Sequence, residues 1–234
     1  MIILLSPAKT MRESNKVSAR TQPRFLQTQQ ALLTALRDKS VSELQRFYAC
    51  SLVIAKENYQ RLQNFEEKHT AIDAYTGPQY IALDAASLNE DALMYLQKNV
   101  RIISGMYGLL RPLDTIGLYR LPMALSINNI SLSDRWKPEI TTHLASKIII
   151  NLASKEYAQI IDEHPNKVDI HFIKMVNDKP TKHAVEVKKM RGLFVRTMAL
   201  ENIQTIASIK AVKLEGYCYQ SELSTSKTLV FVKA

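Results

Sequence analysis

The segment Arg101-Ile102-Ile103-Ser104-Gly105-Met106-Tyr107-Gly108-Leu109-Leu110-Arg111-Pro112-Leu113-Asp114 holds two of the six glycines in the chain. Glycine accepts positive φ and lets backbone N–H groups approach a ligand, so a tight bend on Gly105 and Gly108 has the chemistry of a phosphate cradle. The spacing is close to the bend of a helix-hairpin-helix element, which grips a DNA backbone without reading bases, although the second glycine falls one residue late. From spacing alone, a glycine bend with no ligand is an equal reading. Cations accompany it: Arg101, Arg111 and Arg120 form one candidate rim, Lys188, Lys189, Arg191 and Arg196 another, and Lys9 follows the first apolar run. Such rims bind nucleic acid with a steep salt dependence and little sequence preference. Each charge alone is more often a solvated surface residue, so the expectation rests on the set. Tyr75, Tyr107, Tyr119 and Tyr217 add rings that, if exposed, stack on unpaired bases for roughly 1–3 kcal/mol each. The ordinary alternative for any one of them is a half-buried aromatic.

A second constellation sits at the ends of apolar runs. Ser6 and Lys9 follow the first, and Asn151 and Ser154 follow Ile148-Ile149-Ile150, positions where α/β proteins place ligands. With Asp73, Tyr75, Tyr107 and Glu156 they would surround a nucleobase, nucleotide or DNA lesion, which is the enzyme alternative. Chain reversal at Pro7 and helix capping by Ser154 explain the same residues without catalysis. No nucleophile elbow, Walker loop or dinucleotide fingerprint is present, so no catalytic residue is assigned and no cofactor is implied.

Composition narrows the partners. Thirty-one Lys and Arg against 22 Asp and Glu give a formal net charge of +9, which favours encounter with polyanions, DNA first among them, whether duplex, bubbled or single-stranded. Charge alone raises those odds only modestly. The two cysteines, Cys50 and Cys218, have neither zinc nor redox spacing, and the five histidines form no His-x-x-x-His pair, so no metal site is expected. No stretch approaches the roughly 18 apolar residues of a membrane span, and the apolar start has no basic leader, so a cytoplasmic protein with reduced thiols is expected. No obligate protein partner is evident.

The elements that must position these residues follow from periodicity. Met1 to Leu5 reads as a buried first strand, residues 11–24 as an exposed loop, and Phe25 to about Ala71 as helical, with Ser40-Val41-Ser42-Glu43 as a capping box. Ser87-Leu88-Asn89-Glu90 is a second capping-box candidate, opening a helix to about Asn99. Asp134 to Ala145 reads as a helix capped by Ser133 or Asp134, followed by the strand Ile148–Ile150, apolar enough to be buried on both faces. Val168, Ile170 and Phe172 alternate, and Asn177-Asp178-Lys179-Pro180 turns the chain into an expected strand Lys182–Lys189, making a hairpin. A helix from Leu193 to Ala207 and a strand over Leu229–Val232 complete the chain. No repeat or linker divides residues 1–234, so we expect an α+β (mixed α/β) fold, a single compact domain with a mixed sheet flanked by helices and a helix-hairpin-helix-like element. A chain this long buries roughly 70–75% of its unfolded surface.

Several motifs also carry a resemblance. Ser6-Pro7-Ala8-Lys9-Thr10, Tyr75-Thr76-Gly77, Ile103 to Asp114, Tyr119-Arg120, Asn151-Leu152-Ala153-Ser154, Lys189-Met190-Arg191-Gly192 and Glu215-Gly216-Tyr217 occur in an order that resembles the peroxide stress protein YaaA family. The resemblance implies a cytosolic bacterial protein linked to survival of hydrogen peroxide and to lower unincorporated iron. It also implies DNA binding, including DNA with disrupted pairing, and a helix-hairpin-helix element beside a positive cleft. Two positions depart from the family pattern: Ile116-Gly117-Leu118, where a proline commonly precedes the tyrosine, and Lys155, where an acidic residue is common. Peroxide reduction by the chain itself is not expected. It needs an accessible low-pKa thiol or redox cofactor, whereas Cys218 lies between two tyrosines in an expected strand and Cys50 beside a helical segment. An iron-handling role would need a cluster of carboxylates or histidines that the sequence does not display.

Overall fold

The computed structural model describes residues 1–176, 179–181 and 183–233. The opening run forms β1 (Ile2–Leu5), with all of its residues buried. After the polar stretch come α1 (Leu26–Arg37), α2 (Val41–Tyr48) and α3 (Leu52–Gln63). The first capping box forms as expected: the Glu43 amide donates to Ser40 Oγ at 3.3 Å and the Ser40 amide to Glu43 Oε2 at 2.8 Å. Next are β2 (His69–Thr70), α4 (Ala71–Ala74), α5 (Pro78–Leu83) and α6 (Glu90–Asn99). Here the expected box at Ser87 gives way to Asn89, which takes the Ala92 amide at 3.0 Å, because Ser87 is already used in a 3-10 turn.

The second half begins with β3 (Val100–Ser104), β4 (Gly108–Leu110), β5 (Thr115–Ile116), β6 (Ser126–Ile127) and β7 (Ile130–Ser131). Then α7 (Leu132–Leu144) starts two residues earlier than Asp134, since Ser131 Oγ accepts the Asp134 amide at 3.0 Å. β8 (Ile149–Asn151) leaves Ile148 outside the strand and 46% exposed, while Ile149 and Ile150 are buried as expected. α8 (Lys155–Ala158), β9 (Lys167–Val176) and β10 (Lys179–Thr181) follow, the last two pairing antiparallel, so a hairpin forms but its second strand holds Lys179 and Pro180, which were expected in the turn. The turn residues Asn177 and Asp178, and Lys182, lie outside the described residues.

The strand expected over Lys182–Lys189 is a correction: the chain is helical from Ala184 in α9 (Ala184–Leu200). Val185 and Val187 alternate with Glu186 and Lys188 and imitate a strand, but Met190, Phe194, Val195 and Met198 recur at helical spacing and are fully buried. That stripe decides the element. The helix also stops short of Ala207, because Asn202 turns left-handed and Thr205 caps a new one, α10 (Ile206–Ala211). β11 (Cys218–Tyr219) and β12 (Thr228–Lys233) close the fold.

Among the described residues, eight strands form one mixed sheet in the order β11-β12-β9-β8-β1-β3-β4, with β10 on the end of β9. β1 pairs in parallel with β3 (Ile3 opposite Val100) and with β8 (Ile3 opposite Ile150). It is therefore a central strand covered on both faces, which explains its unbroken apolar run. Helices pack on the sheet around one continuous hydrophobic core.

The glycine bend is not a helix-hairpin-helix element. Gly105 and Gly108 close a β-hairpin between β3 and β4, whose register pairs Ser104 with Gly108. The bend is sealed: Met106 and Tyr107 are fully buried, and their amides donate to Ser104 Oγ at 3.2 and 2.9 Å. A Cβ on Gly105 would lie 2.1 Å from the Leu121 carbonyl oxygen, and one on Gly108, at φ +71°, 2.5 Å from the Trp136 ring. These glycines serve close packing rather than a phosphate.

Gly192 does comparable work for α9. A Cβ there would lie 1.9 Å from the Gln79 carbonyl oxygen, so only glycine lets α9 lie flush on α5. Gly192→Ala is expected to destabilise the fold by about 1–3 kcal/mol or more by overpacking backbone, measured as a lower denaturant midpoint.

Candidate functional site: a cationic cleft at the ends of two parallel strands

The chain leaves β1 to build β3 on one side of it and later returns to place β8 on the other. Connections that diverge in this way open a crevice beyond the carboxyl ends of the two strands, the usual ligand position in open α/β sheets. A cleft of about 520 Å³ lies there, within the ~300–1,000 Å³ range of small-molecule sites. One wall is the segment Ser6 to Thr10 leaving β1, and the facing wall is Ser154, Lys155, Glu156 and Tyr157 beyond β8. Thr76 to Tyr80 and the α9 side chains Lys188 and Arg191 complete it. A separate concavity of about 320 Å³, near His69, carries charges already matched, Arg61 to Glu57 at 2.6 Å and Lys68 to Glu66 at 2.8 Å.

Short hydrogen bonds fix the walls. Once β1 ends, the Ser6 carbonyl leaves the ladder and accepts from Gln79 Nε2 at 3.0 Å and from the Tyr80 hydroxyl at 2.8 Å. Ser6 Oγ takes the Ser154 amide at 2.7 Å and donates to Ser154 Oγ at 3.2 Å, tying the two walls together. Thr76 Oγ1 donates to Thr10 Oγ1 at 2.8 Å.

Lys9, Lys155, Lys188 and Arg191 line the cleft, and Glu156 is the one carboxylate among its lining residues. Burial lowers the proton affinity of Arg191, and its Nε is buried with no partner among the described residues. Arg120 stands behind Lys9, within 3.5 Å of the Lys9 carbonyl through Nη1, and its Nε is likewise buried and unpartnered. An unsatisfied donor on a desolvated guanidinium is costly, and an anion relieves it.

The residues singled out in the sequence divide. Lys9, Lys188 and Arg191 meet at the cleft, as do Ser6 and Ser154, with Arg120 adjoining. Lys189 faces elsewhere, paired with Glu215 at 2.7 Å, and Arg196 Nη1 donates to the carbonyls at the end of α5, Leu83 and Asp84, both at 2.9 Å. Arg101 and Arg111 share a different pocket. Gly105, Tyr107 and Gly108 are buried in the hairpin described above. Asp73 accepts the amides of Lys16 and Val17 at 2.8 and 3.1 Å, and Asn151 donates to Asp169 Oδ1 at 2.6 Å, so both are committed to the fold. Thr10, Thr76, Gln79, Tyr80, Lys155 and Tyr157 were not read as site residues. Thr10 and Thr76 at least stood inside quoted motifs, whereas nothing in the sequence marked Tyr157. Among the described residues, no three His, Cys, Asp or Glu side chains gather as metal ligands.

The sequence signature described as peroxide stress protein YaaA matches residues 1–223. The chain belongs to this family. It is similar over its whole length to a UPF0246 protein of Finegoldia magna, 37% identical and covering 98% of that protein. UPF0246 proteins of Rickettsia peacockii, at 34% identity, and Limosilactobacillus fermentum, at 36%, are matched over the full length of both chains. In this YaaA-family chain the motifs that carried the resemblance are not scattered. The Ser6–Thr10, Thr76-Gly77, Ser154 and Arg191 segments are the cleft walls. Others are props: Glu215 holds Lys189, and the Tyr217 hydroxyl donates to Glu186 at 2.9 Å, both on α9.

The hydroxyls of Tyr75, Tyr119 and Ser104 form a buried chain, and Tyr107 bonds separately. The hydroxyls of Tyr75 and Tyr119 lie 2.5 Å apart, Ser104 Oγ is 2.6 Å from Tyr119, and the Tyr107 hydroxyl donates to Glu67 at 2.9 Å. Tyr75, Tyr107, Tyr119 and Tyr217 are all buried, so none presents a ring for stacking, a correction to the sequence expectation. Burial, above all, pushes the Tyr119 phenol up to about 12 and holds Tyr75 and Tyr80 well above the ordinary range. The neutral phenol is thus favoured in the folded state. Its contribution to stability is complete below the unfolded value near ~10 and is lost as pH climbs from there through the folded value.

Two outcomes follow. Phenolate absorbance from the buried tyrosines is expected to stay low through the unfolded tyrosine range and to rise together with loss of structure. Tyr119→Phe, which strands the buried Tyr75 hydroxyl, is expected to cost about 1–3 kcal/mol in chemical denaturation.

Proposed function

We propose that this chain is a cytoplasmic DNA-binding protein of the response to peroxide, seating backbone phosphate and one unpaired nucleotide in the cleft between β1 and β8. Covering such DNA would limit iron-dependent oxidative damage there. The observation that carries this reading is the gathering of Lys9, Lys155, Lys188 and Arg191 against Glu156, with the Arg191 Nε left unpartnered. The phosphate contacts expected of the Gly105 bend pass to these side chains.

Size sets the preference. A cleft of about 520 Å³ accommodates a nucleotide but not a duplex. Extruding a nucleotide costs a few kcal/mol, least where pairing is already broken or the base is damaged. Bubbled and single-stranded DNA should therefore bind more tightly than intact duplex. In mobility-shift titrations over a salt series, log affinity should fall linearly with log salt. Lys9→Gln and Lys188→Gln, both at exposed positions, should each flatten the single-strand slope by ~0.7 per lost phosphate contact. Unchanged slopes, or negligible binding at physiological salt, would reject the reading.

A nucleotide- or nucleobase-processing enzyme is the second reading, favoured by the switch-point position of the cleft. No histidine or cysteine lines it, and Glu156 is its one carboxylate for proton transfer, beside lysines and tyrosines. Product analysis with mononucleotides decides: turnover lost in Glu156→Gln with binding retained supports an enzyme, and no turnover in the parent protein excludes it for those substrates.

A further inference from the structure

A second cationic concavity lies at the opposite end of the sheet. Arg101 is one residue into β3, and Arg111 one residue past β4. Continuing the β3–β4 register one step beyond the Ile102–Leu110 pair sets Arg101 opposite Arg111. Directly opposed residues share a face, and like charges there repel. Arg24 and His143, the latter in the last turn of α7, line the same pocket together with Leu109 and Asp114. Its volume is about 70 Å³, room for one small polyatomic ion, given that a water takes ~30 Å³ of liquid.

The charge in this pocket is only partly matched, three arginines facing one carboxylate. Asp114 is its one carboxylate, and Arg111 holds it: Oδ2 accepts the Arg111 amide at 2.7 Å, Oδ1 accepts Arg111 Nε at 3.0 Å and Thr21 Oγ1 at 2.6 Å, and Arg111 Nη2, 3.0 Å from Oδ1, donates to the Gln22 carbonyl at 2.9 Å, so Arg24 and Arg101 are left without a carboxylate. Arg101 Nη1 caps the end of α6, donating to the Gln97 carbonyl at 3.1 Å and to that of Val100 at 2.6 Å. Arg24 is exposed and has no ion-pair partner among the described residues. The mutual repulsion registers on the groups themselves. Arg101 is lowered to about 10, first by burial and then by Arg111 and Arg24, with Asp114 opposing. His143 is lowered by burial, then by Arg24, Arg101, Lys147 and Arg111.

We infer that Arg24, Arg101 and Arg111 form a binding site for a small tetrahedral dianion, a phosphate monoester or inorganic phosphate. The planar guanidinium forks suit such an oxyanion, and its charge would quench the repulsion between the opposed arginines. Neither the cleft nor its proposed DNA contacts take part.

His143 is the reporter. In an NMR titration of its imidazole, saturating inorganic phosphate should raise the midpoint by about one pH unit, as an opposite charge within ~4–6 Å does, while chloride at matched ionic strength should not. Arg24→Gln, at an exposed position, should weaken the apparent phosphate affinity about tenfold, roughly the worth of one charge-assisted hydrogen bond, with an unchanged melting temperature. Separate arms use a nucleoside monophosphate and oligonucleotides with a terminal phosphate or a terminal hydroxyl. Binding of inorganic phosphate and the mononucleotide supports a free phosphate ligand, and binding confined to the phosphorylated strand supports a nucleic-acid end as its source. If none of these moves His143, or chloride moves it equally, the inference is wrong. Because His143 does not line the cleft, either result is independent of DNA binding there.

Discussion

Parallel pairing of β1 on both of its edges is the constraint from which the cleft follows. A strand held between β3 and β8 must hand the chain out at its carboxyl end, where the ladder no longer satisfies the next carbonyl. That carbonyl belongs to Ser6, and Gln79 and Tyr80 satisfy it. Both donors sit on α5, so the end of the central strand fixes the position of that helix. α5 in turn admits α9 only because Gly192 carries no side chain against Gln79. α9 then delivers Lys188 and Arg191 to the cleft opposite Lys9. A buried polar group left unpaired costs about 1–3 kcal/mol, so each step of this chain is enforced rather than optional.

The same logic separates what the sequence could reveal from what it could not. β1, the paired ends of β9 and β12, and the first capping box were legible because each rests on local periodicity or on a short side-chain-to-backbone bond. The beginning of α9 was not, since Val185 and Val187 imitate a strand until the buried stripe from Met190 onward is weighed. The glycine bend misled for a related reason. Spacing reports that a residue without a side chain is needed, but not whether the neighbour is a ligand or, as here, Leu121 and Trp136. Of the candidate site, the strand-end residues Ser6, Lys9 and Ser154 were found by position. Lys188 and Arg191 were found by charge, although the convergence of the two sets depends on helix packing that no local pattern encodes.

Paired cations are distributed through the fold as fasteners. Lys189 holds Glu215, Lys167 meets Asp162 at 2.9 Å, Arg20 clasps Glu90, and Arg37 Nε donates to the Leu62 carbonyl at 2.7 Å. Exposed pairs of this kind contribute little to stability, typically ~0–1 kcal/mol. Where the partner is a carboxylate, each also cancels a charge locally. The net positive charge is therefore less a property of the whole surface than of the places where cations lack carboxylates.

Two of those places are concave and lie at the two ends of the parallel strands. At the carboxyl ends, Arg120 and Arg191 keep buried, unpartnered Nε donors beside the lysines of the cleft. At the amino ends, register sets Arg101 against Arg111, and Arg24 adds a third charge. Folding alone would favour replacing such groups, since an uncompensated guanidinium in a desolvated setting opposes stability. Arginine, unlike lysine, cannot escape by losing its proton, so the repulsion remains until an anion arrives. Binding energy at either end would then come largely from relieving a stress that the empty fold maintains. A phosphate-bearing ligand would relieve that stress at both concavities, as an apolar one would not.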